Sequence, residues 1–261
     1  MQKAAYLFLS VFFIVIFATG AFAQTADTTA PKMDTTAIKA FNSGLDKMQK
    51  SDYKGALADF ETALTAAKDY RIYYQMAVAE VKLGNNDAAI KDYQDAIKAN
   101  PNFNASYNDL GNVYYSVGNF KDAIDSFQKF LEKSKNENVN EGVKFNLALS
   151  YTALATSAEK AKNNKLAIVD LKKAVSFNNY DIAYLNLARL YFVSNQFKNS
   201  ISAAQDAIKY KKNIGEGGPY YYMGIAYSKL KDLKKAKECL LKAKEDPTYA
   251  KFAQTVLDGM K

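Results

Sequence analysis

One short pattern recurs six times along the chain and constrains its fold more than any other feature. The pattern is an alanine, an aromatic residue or leucine four positions later, and an alanine three positions after that; the third copy ends in phenylalanine and the fifth is degenerate. Spacings of three, four and seven place side chains on one face of a helix. The copies start 33, 34, 44, 33 and 36 residues apart, at Ala56, Ala89, Ala123, Ala167, Ser200 and Ala236.

A second helical pattern precedes several of these copies. In the third repeat it consists of Tyr107, Leu110, Gly111 and Tyr114, and residues 184–191 and 220–227 repeat it closely. Its small third residue lets a partner helix approach closely, which predicts close helix crossings at Gly111 and Gly224. Turn formers such as those at 118–119 separate the two patterns, so each repeat is expected to be a pair of helices.

The two patterns together resemble the tetratricopeptide repeat, in which aromatic-x2-Leu-Gly-x2-Tyr precedes Ala-x3-Phe-x2-Ala. The resemblance implies an all-α, right-handed superhelical solenoid of about six helix-turn-helix pairs over residues 37–248. The expected repeats span 37–69, 70–102, 103–136, 137–180, 181–213 and 214–248. A stack of repeats needs an element that covers its last apolar face, and residues 249–261 are expected to form such a C-terminal capping helix.

The fourth repeat is longer than the others. Tyr151 and Ala167 are 16 residues apart, whereas Tyr114 and Ala123 are 9 residues apart. The excess of seven residues is close to two helical turns and therefore keeps the helical phase. We expect the first helix of this repeat to be about two turns longer than its siblings, and residues 134–138 to form a polar loop.

The N-terminal region has the composition of an export signal. Residues 1–23 contain one lysine, an uncharged apolar run and the small-x-small ending Ala21-Phe22-Ala23, which predicts a signal peptide cleaved before Gln24. The alternative is a retained membrane anchor, because 20 uncharged residues suffice to span a bilayer. Residues 24–36 are expected to be a flexible linker. The two Asp-Thr-Thr triplets in the linker resemble O-glycosylation sites of Bacteroidetes.

Composition excludes several kinds of chemistry. The chain has no histidine and one cysteine, Cys239, so it cannot build an imidazole-based triad or a common zinc site. The basic residues are 33 lysines and only two arginines. Because bidentate recognition of phosphate and guanine favours arginine, this composition disfavours nucleic-acid binding. We find no catalytic, cofactor-binding or metal-binding motif and expect a protein that is not an enzyme and needs no cofactor. Export also disfavours nucleic acid as a partner.

The resemblance implies that the first helices of the pairs line a concave groove that binds a peptide or a partner protein. The groove lacks the lysine and asparagine arrangement with which chaperone-binding relatives hold a C-terminal carboxylate, so that ligand is not predicted. Several of these residues could instead pack only between repeats. The predicted partner-binding residues are Tyr74, Val78, Asn108, Asn112, Tyr115, Phe145, Leu149, Arg189, Phe192, Tyr221 and Ile225.

The last repeat carries most of the positive charge. Between Lys209 and Lys244 there are ten lysines and three carboxylates, a net charge of +7 compared with +8 for the whole chain. This excess is explained either by a solvated face or by contact with an anionic partner, which could be an acidic protein or the lipid surface of the envelope. The predicted basic patch consists of Lys231, Lys234, Lys235 and Lys237.

These features together predict an exported interaction scaffold, located in the periplasm or at the cell surface. A membrane-tethered structural subunit of an envelope assembly is the alternative. The two hypotheses differ in the fate of residues 1–23, which only the tethered protein retains.

Overall fold

The computed structural model describes residues 33–260, and within them it contains thirteen α-helices and no β-strand. The predicted signal peptide and most of the predicted linker lie outside the described residues. The first helix begins at Thr35, two residues before the expected start of the repeats. The all-α fold class predicted from the periodicity is confirmed.

Twelve of these helices form six consecutive antiparallel pairs. The first helices of the pairs are α1 (Thr35–Gln49), α3 (Tyr70–Leu83), α5 (Asn104–Ser116), α7 (Glu137–Lys160), α9 (Asp181–Val193) and α11 (Gly217–Lys229). The second helices are α2 (Tyr53–Ala66), α4 (Asn86–Ala99), α6 (Phe120–Lys133), α8 (Asn164–Phe177), α10 (Phe197–Lys209) and α12 (Leu233–Lys244). A single helix, α13 (Ala250–Asp258), follows the last pair.

In the first, third and sixth pairs, a glycine of the first helix meets a large residue of the second. A β-carbon added to Gly111 would lie 2.6 Å from Cε1 of Phe127, a ring with no solvent exposure. A β-carbon added to Gly224 would lie 2.7 Å from Cγ of Leu240. The close crossings predicted at both glycines are therefore confirmed.

The fourth pair is irregular at both ends of its first helix. Helix α7 has 24 residues, compared with 13 in α5 and in α9. It begins at Glu137, so the second half of the expected polar loop at 134–138 is helical and the loop ends at Asn136. The side chain of Asn136 caps this helix by accepting hydrogen bonds from the backbone of Asn138 and Val139. The helix is longer than predicted because the added N-terminal turn has its own cap.

Tyr151 shows how this long helix fits into the stack. Its hydroxyl accepts a hydrogen bond from Gln128 of the preceding pair, as Tyr114 does from Gln94. Its ring lies under Lys173 of its own partner helix, at 5.3 Å, in the way that the ring of Tyr107 lies under a lysine of α6. Tyr151 therefore makes both the contact with the preceding pair and the contact with its partner helix. In α5 these two contacts belong to separate tyrosines, Tyr114 and Tyr107, which are seven residues or about two turns apart.

Candidate interaction surface

The first helices contact one another along one side of the stack through polar side chains. The hydroxyl of Tyr74 on α3 donates a hydrogen bond to Oδ2 of Asp109 on α5, at 2.7 Å. The amide of Asn146 on α7 donates to Oδ1 of Asn112 on α5, at 3.0 Å. Arg189 on α9 donates two hydrogen bonds to a carboxylate of α7. Four successive first helices therefore present one continuous face, which we call the inner face.

Tyr74 is held firmly at the start of this face. Its ring lies 5.7 Å from that of Tyr93 and meets that of Phe103 edge-on at 5.0 Å. Burial, and next the charge of Asp109, raise the pKa of the Tyr74 hydroxyl. Burial also raises the pKa of Asp109, although the hydrogen bonds from Tyr74 and Asn108 oppose this effect. Val78, one turn further along α3, packs against the core below.

The centre of the inner face combines amides with an aromatic ring. Nδ2 of Asn108 donates to Oδ1 of Asp109, so Asp109 receives hydrogen bonds from two predicted partner-binding residues. Tyr115 packs against Phe120 with ring centroids 5.4 Å apart, and burial raises the pKa of its hydroxyl. Asp109 and Asn146 are not among the residues that the sequence predicts for this face, and only the hydrogen bonds between neighbouring helices reveal their position.

The extended helix α7 supplies the next part of the face. Phe145 is 38% exposed and meets Tyr180 edge-on at 5.5 Å, whereas Leu149 is partly buried against the core. Glu159, near the end of the extension, forms the bidentate ion pair with Arg189 at 2.5 Å. Burial lowers the pKa of Arg189, but the hydrogen bonds and charge of Glu159 outweigh it, so the pKa is raised. The predicted two-turn extension was the signal that could have identified Glu159.

The C-terminal end of the predicted groove differs from the expectation. Phe192 packs against Phe197, and Tyr221 lies against Tyr249 and Phe252, which belong to the segment around α13. Ile225 is buried in a cluster with residues of α12 and α13. The prediction that Ile225 contacts a partner is therefore corrected, because α13 covers it.

The predicted basic patch is exposed on the turn before α12 and on α12 itself. Lys235 forms an ion pair with Asp232 at 3.1 Å, and its ammonium lies 5.4 Å from the ring of Tyr227. Within residues 33–260, Lys231, Lys234 and Lys237 form no ion pair. Three of the four lysines can therefore interact with an external anion. Whether they do so remains a prediction.

No group of three or more Cys, Asp or Glu side chains in residues 33–260 is placed to hold a metal ion. Burial raises the pKa of the Cys239 thiol, which disfavours the reactive thiolate. Within residues 33–260, every helix is too short or too polar to span a lipid bilayer.

Comparisons with known proteins agree with the repeat pattern. Residues 74–138 and 219–245 match two models of the tetratricopeptide repeat. The small glutamine-rich tetratricopeptide repeat-containing protein 2 of Mycosarcoma maydis is 30% identical over 125 residues, covering 48% of this chain and 35% of the relative. DnaJ homolog subfamily C member 3 of Homo sapiens is 26% identical over 196 residues, covering 71% of this chain and 38% of the relative. The chain thus spans little more than a third of the length of these relatives.

A solved structure shows the same fold. It is the C-terminal part of a tetratricopeptide repeat-containing protein from Cytophaga hutchinsonii, with a TM-score of 0.56 and 20% identity. The match covers 86% of this chain and 88% of that chain. The predicted solenoid of helix pairs is confirmed by this likeness and by the thirteen helices of the described residues.

Proposed function

We propose that this tetratricopeptide-repeat protein is a non-enzymatic scaffold of the cell envelope that binds an extended peptide or a partner protein on its inner face. The observation that carries the proposal is the continuity of that face from α3 to α9. It combines aromatic rings with amide groups, and aromatic residues dominate binding hot spots because they bury much area at little entropic cost.

The amide groups suit the backbone of an extended ligand. Within the described residues, Nδ2 of Asn112 and Oδ1 of Asn146 make no hydrogen bond, because the bond between them uses the other atom of each amide. Asn112 thus keeps a donor and Asn146 an acceptor that the described residues leave unused, and a peptide unit presents the matching pair. This supports a ligand that is recognised partly through its main chain.

A selected peptide tests this proposal. A ligand is taken from a random peptide library displayed on phage, and its affinity is measured by fluorescence anisotropy for the parent and for Asn112→Ala/Asn146→Ala. We expect the double variant to bind about tenfold more weakly, because two hydrogen bonds in a partly desolvated groove are lost. The matched control is Gln205→Ala on the exposed side of α10, which should leave the affinity unchanged. Equal affinity of the parent and the double variant would place binding on another surface.

The envelope location rests on the sequence of residues 1–23. N-terminal sequencing of the protein recovered from its native cells should find Gln24 as the first residue if the signal peptide is cleaved. Recovery of the intact N-terminus from the membrane fraction would instead support the tethered structural subunit. Recovery of the intact N-terminus from the cytosol would contradict both locations.

A further inference from the structure

The outer face of α12 departs from the pattern of the five preceding second helices. One position after the leading small residue, those helices carry Leu57, Ile90, Ile124, Ile168 and Ile201, and eight positions after it they carry Leu64, Ile97, Leu131, Val175 and Ile208. All ten side chains are buried or partly buried. In α12 the two positions hold Lys237 and Lys244, which are exposed and form no ion pair within residues 33–260.

A third position on the same face changes in the opposite direction. Five residues after the leading position, the preceding helices carry Glu61, Gln94, Gln128, Lys172 and Gln205, whereas α12 carries Leu241. Leu241 is 48% exposed, and Leu233, about two turns earlier on the same side of the helix, is 55% exposed. A face designed only to end the stack in water would keep the polar residue at this position. Helix α12 thus has lysines where the other second helices have aliphatic residues, and a leucine where they have polar or charged ones. This difference needs another explanation.

These four residues line an open groove of about 380 Å³ between α12 and α13. The opposite wall consists of Gln254, Leu257, Asp258 and Met260, so the groove holds two lysines and one carboxylate. The stack contains a smaller counterpart of about 200 Å³, in which α4 supplies Gln94 and Ile97, at the positions of Leu241 and Lys244. This smaller groove within the stack has a third wall, α6, which presents Asp122 and Asp125. Among residues 33–260, no third helix lines the terminal groove.

We infer that the groove between α12 and α13 binds an acidic amphipathic helix of a partner protein, which takes the place of the missing third helix. The partner's apolar ridge lies on Leu233, Leu241 and Leu257, and its carboxylates face Lys237 and Lys244. These lysines are seven residues apart, about 10.5 Å along the axis, which matches carboxylates two turns apart on a helix. The concave shape suits a helix better than a flat bilayer, because the leucines lie in the walls of the groove.

A peptide derived from α6 serves as the probe, because α6 forms the third wall inside the stack. The 14-residue sequence Phe120–Lys133 is made with Lys121→Glu, Lys129→Glu and Lys133→Glu, labelled with fluorescein and held helical by a hydrocarbon staple. Its charge-reversed counterpart keeps the three lysines and carries Asp122→Lys, Asp125→Lys and Glu132→Lys. Binding to the purified protein is followed by fluorescence anisotropy.

We expect the acidic peptide to bind saturably at one site and the basic peptide to bind at least about tenfold more weakly. Lys237→Glu/Lys244→Glu should weaken binding of the acidic peptide by about tenfold or more. The matched control is Lys165→Glu/Lys172→Glu, which reverses two exposed lysines seven residues apart on α8 and should change the affinity less than about twofold. Leu241→Gln, which restores the residue type of other repeats, should weaken binding without lowering the unfolding temperature.

Four results would overturn the inference. The acidic peptide could fail to bind, or could bind the Lys237→Glu/Lys244→Glu variant as well as the parent. Vesicles with about 30% phosphatidylglycerol could bind the parent and not the double variant while the peptide is not bound, which would identify a lipid surface. Sedimentation could show self-association that the double variant abolishes, which would identify a second copy as the occupant. Asn112→Ala/Asn146→Ala should retain peptide binding, so failure here is distinguishable from failure of the inner-face proposal.

Discussion

Replacing Gly111 by alanine tests the closest contact of the third helix pair. The new β-carbon would lie 2.6 and 2.7 Å from two atoms of the Phe127 ring, well inside ordinary van der Waals contact. Phe127 has no solvent exposure and is packed on all sides, so it cannot move aside without displacing its neighbours. Overpacking of this kind costs about 1–3 kcal/mol. Alanine also gains about 1 kcal/mol over glycine inside a helix, so the net effect ranges from about neutral to a loss of about 2 kcal/mol.

Gly142→Ala on α7 is the matched control for this experiment. Gly142 also lies inside a helix, but a β-carbon there would meet no atom within 4 Å. It should therefore show the helix-propensity gain of about 1 kcal/mol without the clash. Urea unfolding followed by far-ultraviolet circular dichroism should place Gly111→Ala about 1–3 kcal/mol below Gly142→Ala. If both variants were stabilised equally, the close crossing of α5 and α6 would be refuted.

Three further predictions concern charged side chains. Asp181 is buried, which raises its pKa, but its hydrogen bonds from Asn213, Lys212 and Ile214 outweigh burial and lower the pKa. Asp181→Asn should cost about 1–3 kcal/mol at neutral pH. In thermal unfolding experiments the difference from the parent should persist down to about pH 4, where aspartate titrates in the unfolded chain, and should disappear only as the pH falls further through the lowered pKa of the folded protein. Burial, with Glu80 nearby, raises the pKa of Asp92 to about 6. The parent should therefore lose stability as the pH rises from about 4 to 6, because the buried carboxyl must ionise. Asp92→Asn should be about 1–3 kcal/mol more stable than the parent at neutral pH and equally stable below about pH 4. Arg189→Met should lower the free energy of unfolding by about 1–2 kcal/mol, because the half-buried carboxylate of Glu159 loses its bidentate partner. In a double-mutant cycle, the Arg189→Met/Glu159→Gln variant should recover most of this loss.

Much of the inner face was accessible to sequence reasoning because it follows the helical period. Tyr74, Asn108 and Asn112 were placed on first helices from their spacing, and the structure puts all three beside the contacts between those helices. Asp109 could not be predicted from the helical period, because the adjacent Asn108 occupies the groove-facing position of that turn. Only the hydrogen bond that Asp109 accepts from Tyr74 reveals its place on the inner face. The burial of Ile225 was equally hidden, because it depends on where α13 lies.

Local patterns in the sequence are enough to predict the helix pairs, the small residues at their crossings and the position of the long helix. These features follow from local periodicity and from side-chain size, which act over a few residues. The position of α7 along its own axis, relative to the neighbouring helices, depends instead on packing. An insertion of seven residues keeps every side chain on its face, so the sequence cannot tell whether Tyr151 corresponds to Tyr107 or to Tyr114. In the structure Tyr151 corresponds to both, since its hydroxyl contacts α6 and its ring contacts α8. The pairing of Glu159 with Arg189 follows from that position of α7, because helical phase fixes direction around the axis and only packing fixes position along it.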